Sequence, residues 1–329
     1  MKEVISELFT KVGLGEIIGD INSVPGGLMH KMYKVCSASG EYAVKCLNPE
    51  IMKRPGVFEN YAAAEELEDI LELNDIPIVP ALSFDKKKMI ETSGRYFYIY
   101  RWLEGSITDF DNISAEQCFT VGSILGRIHA IDSHDTEVNE PEICNIDFNE
   151  YVSVAKAEKS NIGDLIGENR SLLEKAQDKL NDARKNLPTI SVIDNPDMDP
   201  KNIIWNEGKA YVIDLECLER GNPASGCINL AMQWAGTVTE KYNSEKLRAF
   251  FDGYLKEYDN GYNSYDKLYG ITYTWLEWLE YNLRRALGME GSEEEEIRLG
   301  EEEVKNTIGR IRYLNEIEDD VCNVLKGIK

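Results

Sequence analysis

The sequence predicts an α+β fold of two lobes, a β-rich N-terminal lobe followed by a mostly helical C-terminal lobe. Its 329 residues exceed the ~100–200 that are usual for one domain. The first hundred residues show short β-type runs with a single helical segment, whereas the remainder shows mainly helical patterns. Gly105 and Ser106 mark a hinge between the two patterns. We therefore expect an N-terminal lobe at residues 1–102 and a C-terminal lobe at residues 103–329.

The N-terminal lobe contains five candidate strands and one candidate helix. Two of the strands flank a turn with Gly26 and Gly27 at its tip, which is typical of a hairpin. The helical segment is rich in Ala, Glu and Leu, which favour helix. We predict strands at residues 16–24, 28–37, 41–47, 78–84 and 96–102, and a helix at residues 57–73.

The C-terminal lobe begins with a helix whose first turn carries a capping box, Ser114 with Gln117. A long helix or helix pair follows and ends at Pro188. A strand–loop–strand unit comes next, and the rest of the chain is helical. We predict helices at residues 114–131, 147–187, 227–236, 244–258, 265–288 and 293–326, and strands at residues 189–193, 203–205 and 210–216.

Charge and hydropathy exclude several classes of protein. A net charge of −23 argues against unaided binding of nucleic acid, which requires a basic surface. No apolar run approaches ~18 residues, so we expect no membrane span. The N-terminus lacks the apolar core of a secretory signal, which favours a cytoplasmic location. No obligate protein partner is evident. The excess acidity suits either solubility or the attraction of cationic ligands.

The cysteines do not form a metal-binding pattern. There are seven of them, scattered without a CxxC pair, and the chain has only three histidines. A structural zinc site is therefore not expected, and the thiols are expected to be free in a reducing compartment.

Phosphoryl transfer from ATP makes four demands on a protein, and the sequence offers a candidate for each. Backbone N–H groups must approach the phosphates, which glycines such as Gly26 and Gly27 allow, although any hairpin can use them. A lysine must hold phosphate oxygens. Hard oxygen ligands must bind Mg²⁺, and a carboxylate must orient the attacking hydroxyl and accept its proton.

Lys45 is the candidate for the lysine. It lies inside the apolar strand YAVKCL, where a lysine can equally face water. Glu65, twenty residues later in the predicted helix, is the candidate for its partner, because kinase-type sites tether a strand lysine with a helix glutamate. Glu66 and Glu68 are rivals on other faces of that helix.

The segment DNPDMDPKNIIWNEGKAYVIDLE, residues 194–216, supplies the remaining candidates. Asp197 lies on a loop between two short apolar strands. Asn202 offers an amide oxygen to Mg²⁺, and Asp214 offers a carboxylate at the end of a strand. Glu216 points the same way if that strand continues. The alternative is that Asn, Asp and Pro here only build turns, and the complete spaced set favours the phosphoryl-transfer interpretation.

Together these residues resemble the aminoglycoside phosphotransferase and choline kinase-like family, which has a protein-kinase-like fold. The resemblance includes YAVK, YIYRWLEG, LGRIHAID, DMDPKNIIW and YVIDLE, and it fades after about residue 240. It implies that ATP (or GTP) binds between the lobes with Mg²⁺, that Asp197 is the catalytic base, and that Asn202 and Asp214 are metal ligands. It also implies that Lys45 and Glu65 position the phosphates and that the linker containing Tyr100 and Trp102 lies near the adenine.

Two residues depart from the family's pattern. The family usually has histidine two residues before the aspartate of the loop, where this chain has Asn195. The family commonly has an aspartate at the start of the following helix, where this chain has Gly226. Both departures fall on the scaffold around Asp197, whereas the groups expected to do chemistry are present.

An aromatic stripe in TWLEWLEYNLRRALG recurs at helical spacing, and packing in the core is its ordinary role. A second interpretation is that the stripe lines the acceptor pocket, with Glu277 or Glu280 facing a cationic substrate. The stripe consists of Trp275, Trp278 and Tyr281.

His129 lies in a different, apolar helix, where a role in packing is likewise favoured.

The leading functional hypothesis is an ATP- and Mg²⁺-dependent kinase that phosphorylates a hydroxyl of a small, cationic molecule such as an amino sugar, an aminoglycoside or an amino alcohol. The alternative, motivated by Asn195 and Gly226, is a nucleotide-binding pseudokinase with little or no turnover. A protein kinase is less favoured, because no peptide-docking or activation-segment pattern lies between Asp214 and Pro223.

Overall fold

The computed structural model describes residues 1–24, 30–131, 143–259, 261–290 and 293–328. The chain divides into two compact units. The first comprises Met1–Thr108 and Lys201–Glu219, and the second comprises Asp109–Pro200 and Arg220–Lys329. Strands predominate in the first unit and helices in the second, which confirms the predicted α+β class.

The regular elements are short strands and helices of ten residues or more, joined by 3₁₀ turns. In chain order they are α1 (Lys2–Lys11), β1 (Asn22–Val24), β2 (Lys31–Ser37), β3 (Gly40–Cys46), α2 (Val57–Leu73), β4 (Ile90–Thr92), β5 (Arg95–Arg101), α3 (Ala115–Ile131), α4 (Phe148–Ala157), α5 (Ile162–Lys185), β6 (Val192–Asp194), β7 (Ile203–Asn206), β8 (Lys209–Val212), β9 (Glu219–Gly221), α6 (Pro223–Trp234), α7 (Ser244–Glu257), α8 (Trp275–Ala286) and α9 (Glu294–Leu325).

The first unit is built on an antiparallel sheet of order β1-β2-β3-β5-β4. Alternate residues of a strand point to opposite faces, so Val44 and Lys45 of β3 face opposite sides. Val44 packs with Phe9 of α1 in one apolar cluster. On the other face, Tyr98 of β5 packs with Tyr61 of α2. Lys45 lies directly opposite Tyr98 in the strand register, so it lies on the face that α2 covers.

Two local predictions in this unit were wrong. The N-terminal residues form the helix α1, whose apolar side is buried against the sheet, and the strand predicted at 16–24 is reduced to β1 and an isolated bridge at Ile17. The predicted strand 78–84 forms only single bridges, and the paired strand is β4 instead. Pro77 and Pro80 remove backbone donors there, which prevents a continuous ladder.

The β7–β8 hairpin belongs to the first unit because backbone bonds tie it there. The Val212 N–H donates to the Pro77 carbonyl at 2.8 Å, and the Val79 N–H donates to the Val212 carbonyl at 2.9 Å. The sequence places one boundary after residue 102, whereas residues 201–219 return to the first unit. Sequence order alone does not reveal such a return.

In the second unit, α3 and α7 pack closely through glycines. A Cβ on Gly122 would lie 2.1 Å from the Phe250 carbonyl oxygen, and one on Gly253 would lie 2.0 Å from the Phe119 carbonyl oxygen. The helix predicted at 147–187 is the pair α4 and α5. The helix predicted at 265–288 is a 3₁₀ segment, Tyr265–Thr274, followed by α8. Within the described ranges, no helix is both long and apolar enough to span a membrane.

Candidate active site

A cluster of one lysine and two carboxylates forms the candidate site of the first unit. The Lys45 ammonium donates to Asp214 Oδ1 and to Glu216 Oε2, each at 2.5 Å, and only 4% of Lys45 is exposed. Burial would lower the pKa of Lys45, but the charges of Asp214 and Glu216 outweigh it and raise the pKa above its usual value. The lysine therefore stays charged and draws the two carboxylates together.

The backbone around residue 214 explains how both carboxylates reach Lys45. Strand β8 ends at Val212, and the Ile213 N–H donates to the Asn202 carbonyl at 2.9 Å. Asp214 then adopts a left-handed conformation with φ 60°, and a 3₁₀ turn, Leu215–Cys217, follows. The prediction that the strand continues to Glu216 was wrong. The turn brings the two carboxylates together instead, at a backbone cost of about 1–3 kcal/mol.

The Lys45–Glu65 pair expected from the sequence is replaced in the structure. Glu65 accepts a hydrogen bond from the Tyr98 hydroxyl at 2.7 Å, while Lys45 binds Asp214 and Glu216. Tyr98 is the cross-strand neighbour of Lys45, so the two side chains lie on the same face of the sheet. The Tyr98 hydroxyl donates to the Glu65 carboxylate that was expected to bind Lys45. Burial, followed by the hydrogen bond to Glu65, raises the pKa of Tyr98.

The two other glutamates considered on α2, Glu66 and Glu68, do not pair with Lys45 in place of Glu65. Glu68 is buried and accepts from Lys88 at 2.7 Å and from the Ala81 N–H at 2.8 Å. Glu66 is exposed to solvent. The lysine expected to pair with α2 is therefore held by the segment after β8.

His30 and Tyr61 belong to this cluster, and the sequence analysis missed them. His30 Nδ1 accepts from the Asn48 N–H at 3.0 Å, which leaves the proton of the neutral ring on Nε2. Nε2 lies 3.3 Å from Glu216 Oε1 and 3.2 Å from the Tyr61 hydroxyl. One oxygen of Glu216 thus faces His30 while the other faces Lys45.

These partners change the acidity of Glu216. Burial alone would raise its pKa, but the hydrogen bond from His30 and the charge of Lys45 lower it to about 2. Burial, with the nearby charge of Glu216 as the next cause, raises the pKa of Tyr61. The only sequence signal for His30 is its place three residues after Gly27 of the glycine-rich turn, which is too weak to identify it.

The donor set of the cluster fits Mg²⁺. Asp214 and Glu216 converge on one ammonium, so their oxygens lie close together. Asn202 is 4% exposed and is joined to residue 213 through its backbone carbonyl. Within the described residues, no group of three His, Cys, Asp or Glu side chains is arranged to hold a metal ion by itself. The two carboxylates are hard oxygen ligands of the kind that suits Mg²⁺, which keeps further positions for water and phosphate oxygens.

Tyr100 and Trp102, expected near the nucleotide, lie at the end of β5 and directly after it. Tyr100 lies on β5 two residues after Tyr98 on the same face, and burial raises the pKa of its hydroxyl. Trp102 follows the strand; its ring lies under the Lys34 ammonium at 4.2 Å and its Nε1 donates to Glu104 at 2.7 Å. Gly26 and Gly27 lie outside the described residues.

The candidate loop of the second unit follows β6. Asn195 is 1% exposed, and its Oδ1 accepts from the Asp197 N–H at 3.2 Å. Trp234 of α6 donates from Nε1 to the Met198 carbonyl at 2.9 Å, which holds the far side of the loop. Asp197 itself is partly exposed. Within the described part of the chain, Asn195 Nδ2 is buried without a hydrogen-bond partner, which costs about 1–3 kcal/mol.

The aromatic stripe of α8 packs against α9, and its neighbouring carboxylates have partners. Trp275 lies under the Arg310 guanidinium at 3.8 Å, and Trp278 donates from Nε1 to Glu303 at 3.1 Å. Glu277 accepts from Arg184 at 2.5 Å, and Glu280 accepts from Tyr151 at 3.0 Å. These contacts favour the packing interpretation over an acceptor pocket.

The sequence matches one protein family over most of its length. The model of a family described as phosphotransferase enzymes matches residues 20–266. Among curated proteins, none matches the sequence significantly.

Several solved structures share the fold. A spectinomycin phosphotransferase in complex with ADP and spectinomycin is 14% identical, with a TM-score of 0.65 over 95% of this chain and 98% of that chain. An ethanolamine kinase from Plasmodium vivax is 16% identical, with a TM-score of 0.58 over 88% and 81%. A choline kinase from Cryptosporidium parvum is 13% identical, with a TM-score of 0.56 over 99% of each. The predicted kinase-like fold is confirmed.

Proposed function

The chain belongs to the phosphotransferase enzyme family, and from that premise we propose that it transfers the γ-phosphate of ATP, with Mg²⁺, to a hydroxyl of a small cationic molecule. It is a small-molecule kinase whose acceptor is an alcohol group. The observation that carries the nucleotide and metal part of the proposal is the buried Lys45 held between Asp214 and Glu216.

Lys45 would hold phosphate oxygens of the nucleotide. Its ammonium is buried and fixed in place by two carboxylates, so little reorganisation is needed when it meets phosphate. Asp214, Glu216 and Asn202 would hold Mg²⁺, which when bound supplies positive charge that offsets the charge developing on the transferred phosphoryl group. His30 would keep Glu216 oriented, because it binds the oxygen that Lys45 does not.

Asp197 would orient the acceptor hydroxyl and take its proton. The side chain is partly exposed, as a group that must meet a substrate has to be. Its backbone is fixed by the Asn195 side chain on one side and by the Trp234–Met198 hydrogen bond on the other. A carboxylate held in this way is ready for general base catalysis once the hydroxyl lies within hydrogen-bond distance.

A cationic acceptor is supported by charge and by the structural neighbours. The chain carries a net charge of −23, and an acidic surface raises the local concentration of cations. Ethanolamine and choline, which two of the neighbours are named for, are amino alcohols. Amino sugars, aminoglycosides and amino alcohols are therefore the acceptor classes to test first.

A coupled ADP-release assay tests the proposal directly. The protein is incubated with ATP and Mg²⁺, and ADP release is followed as aminoglycosides, amino sugars, ethanolamine and choline are added one at a time. We expect at least one class to stimulate ADP release and EDTA to abolish it. ATP binding without stimulated release by any of these compounds would contradict the proposed acceptor and favour a pseudokinase.

A further inference from the structure

The Asp194 carboxylate, at the end of β6, occupies the space over the first turns of α6. Asp194 is 4% exposed. A Cβ on Gly226 would lie 2.3 Å from Asp194 Oδ2 and 2.7 Å from Oδ1, and one on Gly221 would lie 3.1 Å from Oδ2. Contacts near 2.3 Å are impossible, so positions 194 and 226 cannot both carry a side chain in this arrangement. The absence of a side chain at Gly226 leaves the space that the Asp194 carboxylate fills.

The carboxylate is held by a histidine from another helix. His129 of α3 is fully buried, and its Nε2 lies 3.0 Å from Asp194 Oδ1. Its Nδ1 lies 2.8 Å from the Tyr254 hydroxyl of α7, which in turn donates to the Pro223 carbonyl at 3.4 Å. Helices α3, α6 and α7 therefore all fix the position of one carboxylate.

This carboxylate also contacts the candidate catalytic loop. Asp194 Oδ1 accepts from the Asn195 N–H at 2.9 Å. Asn195 Oδ1 then accepts from the Asp197 N–H at 3.2 Å. A continuous chain of hydrogen bonds thus runs from Tyr254 through His129, Asp194 and Asn195 to the backbone of Asp197. A bond from a backbone N–H to a charged acceptor is stronger than one to a neutral acceptor.

A packing role alone does not explain these contacts. Burying ionisable side chains is costly even when they are hydrogen-bonded, and well-packed apolar side chains stabilise a core as well or better. An apolar residue at 194 would satisfy the packing between β6 and α6, but it would leave the Asn195 N–H without this acceptor. The arrangement keeps a buried carboxyl group at the point where it accepts from the loop backbone.

We propose that Asp194, held by His129 and accommodated by Gly226, is a positioning residue that fixes the loop carrying Asp197. This inference deepens the proposed function and rests on it for the catalytic role of Asp197. It assigns a single role to a buried histidine, a buried aspartate and a helix glycine. It also explains the glycine at 226 by a steric requirement of this chain.

The steric part is tested by a cycle of stability measurements that needs no activity. Gly226→Ala, Asp194→Ala and the double variant are unfolded with urea. We expect Gly226→Ala to lower the urea midpoint in the native background and to leave it unchanged or raise it in the Asp194→Ala background. Gly167→Ala is the matched control, because Gly167 lies in a helix with no atom within 4 Å of its Cβ position. Equal losses in both backgrounds would overturn the inference.

The positioning part is tested with Asp194→Asn, which keeps the shape and removes the charge. Hydrogen exchange at the Asn195 and Asp197 amides should become faster in this variant. With the acceptor found by the ADP-release assay, kcat should fall by about 10- to 100-fold while the KM for ATP changes less than about threefold. Asp182→Asn, at an exposed surface pair of α5, is the matched control.

The outcomes separate the inference from the proposed function. Unchanged amide exchange in Asp194→Asn would overturn the positioning role whether or not the protein is a kinase. Unchanged kcat with faster exchange would overturn the link between the loop and catalysis. A third outcome is that the wild type shows no acceptor-stimulated turnover while the urea cycle and amide exchange behave as expected. In that case the proposed function is wrong, but the role of Asp194 in positioning the loop is supported.

Discussion

The Lys45 cluster and the loop at residues 194–197 are held by different forces. In the cluster, oppositely charged side chains hold one another, with Lys45 at 2.5 Å from both Asp214 and Glu216. In the loop, the backbone N–H groups of Asn195 and Asp197 donate to the side chains of Asp194 and Asn195.

Because of this difference, substitutions in the Lys45 cluster and at Asp197 should affect stability and catalysis to different extents. Removing a charge from the cluster leaves the opposite charges without compensation, so it should damage both folding and nucleotide binding. Removing the charge of Asp197 leaves the bond from its backbone N–H to Asn195 intact, so it should damage catalysis far more than folding.

Asp197→Asn should lower kcat by about 10²–10⁴-fold, since a lost general base typically costs that much. The affinity for ATP and the urea midpoint should change little, because the Asp197 N–H keeps its bond to Asn195. ADP release, calorimetry and urea unfolding measure the three quantities. Asp182→Asn serves as the control, and a variant that keeps its activity would rule out Asp197 as the base.

Lys45→Met should lower kcat/KM by about 10²–10³-fold and also reduce stability by about 2–3 kcal/mol. Asp214 and Glu216 would be left near one another without the ammonium that joins them. Steady-state kinetics and urea unfolding provide the two values. Lys53→Met, at an exposed pair with Glu50, is the matched control. Full stability in Lys45→Met would show that charge does not hold the cluster.

Glu216 gives the cluster a dependence on pH. Its pKa is lowered to about 2 from 4.5, so it contributes stability that is present above pH 4.5 and is lost as the pH falls towards 2. The shift corresponds to at most about 3 kcal/mol. With EDTA present, Glu216→Gln should therefore be less stable than the wild type at pH 7, and the difference should shrink as the pH is lowered below 4.5. A difference independent of pH would contradict this assignment.

Glu65→Gln should change kcat/KM by less than about threefold, because Glu65 binds Tyr98 and not Lys45. Steady-state kinetics beside Lys45→Met provide the comparison, and Glu66→Gln, on an exposed face of the same helix, is the control. A loss as large as that of Lys45→Met would mean that Glu65 and Lys45 act as a pair during turnover.

Sequence spacing pointed to Lys45, Asp214 and Glu216, which the structure brings together, because Lys45 lies on a strand and Asp214 follows a hairpin that the turn residues reveal. It could not identify the partner of Lys45, since that depends on the register that sets Tyr98 opposite the lysine. His30 was missed for the same reason, because it meets Glu216 only in the folded chain.

The residues that hold the Asp197 loop in place were harder to predict from the sequence than the loop itself. The sequence showed that residues 195 and 226 were unusual, and it placed His129 in an apolar helix. It gave no sign that Asp194, within an apolar strand, fills the space over Gly226. A buried carboxylate and an exposed one look alike in sequence, and only packing distinguishes them.

Calorimetric titration of ATP into the wild-type protein, with Mg²⁺ and then with EDTA, tests most directly whether the Lys45 cluster is a nucleotide and metal site. We expect one ATP bound per chain with Mg²⁺ and a much weaker affinity with EDTA. ATP binding of equal strength in EDTA would remove the metal from the proposed mechanism, and no ATP binding in either condition would contradict the proposed function.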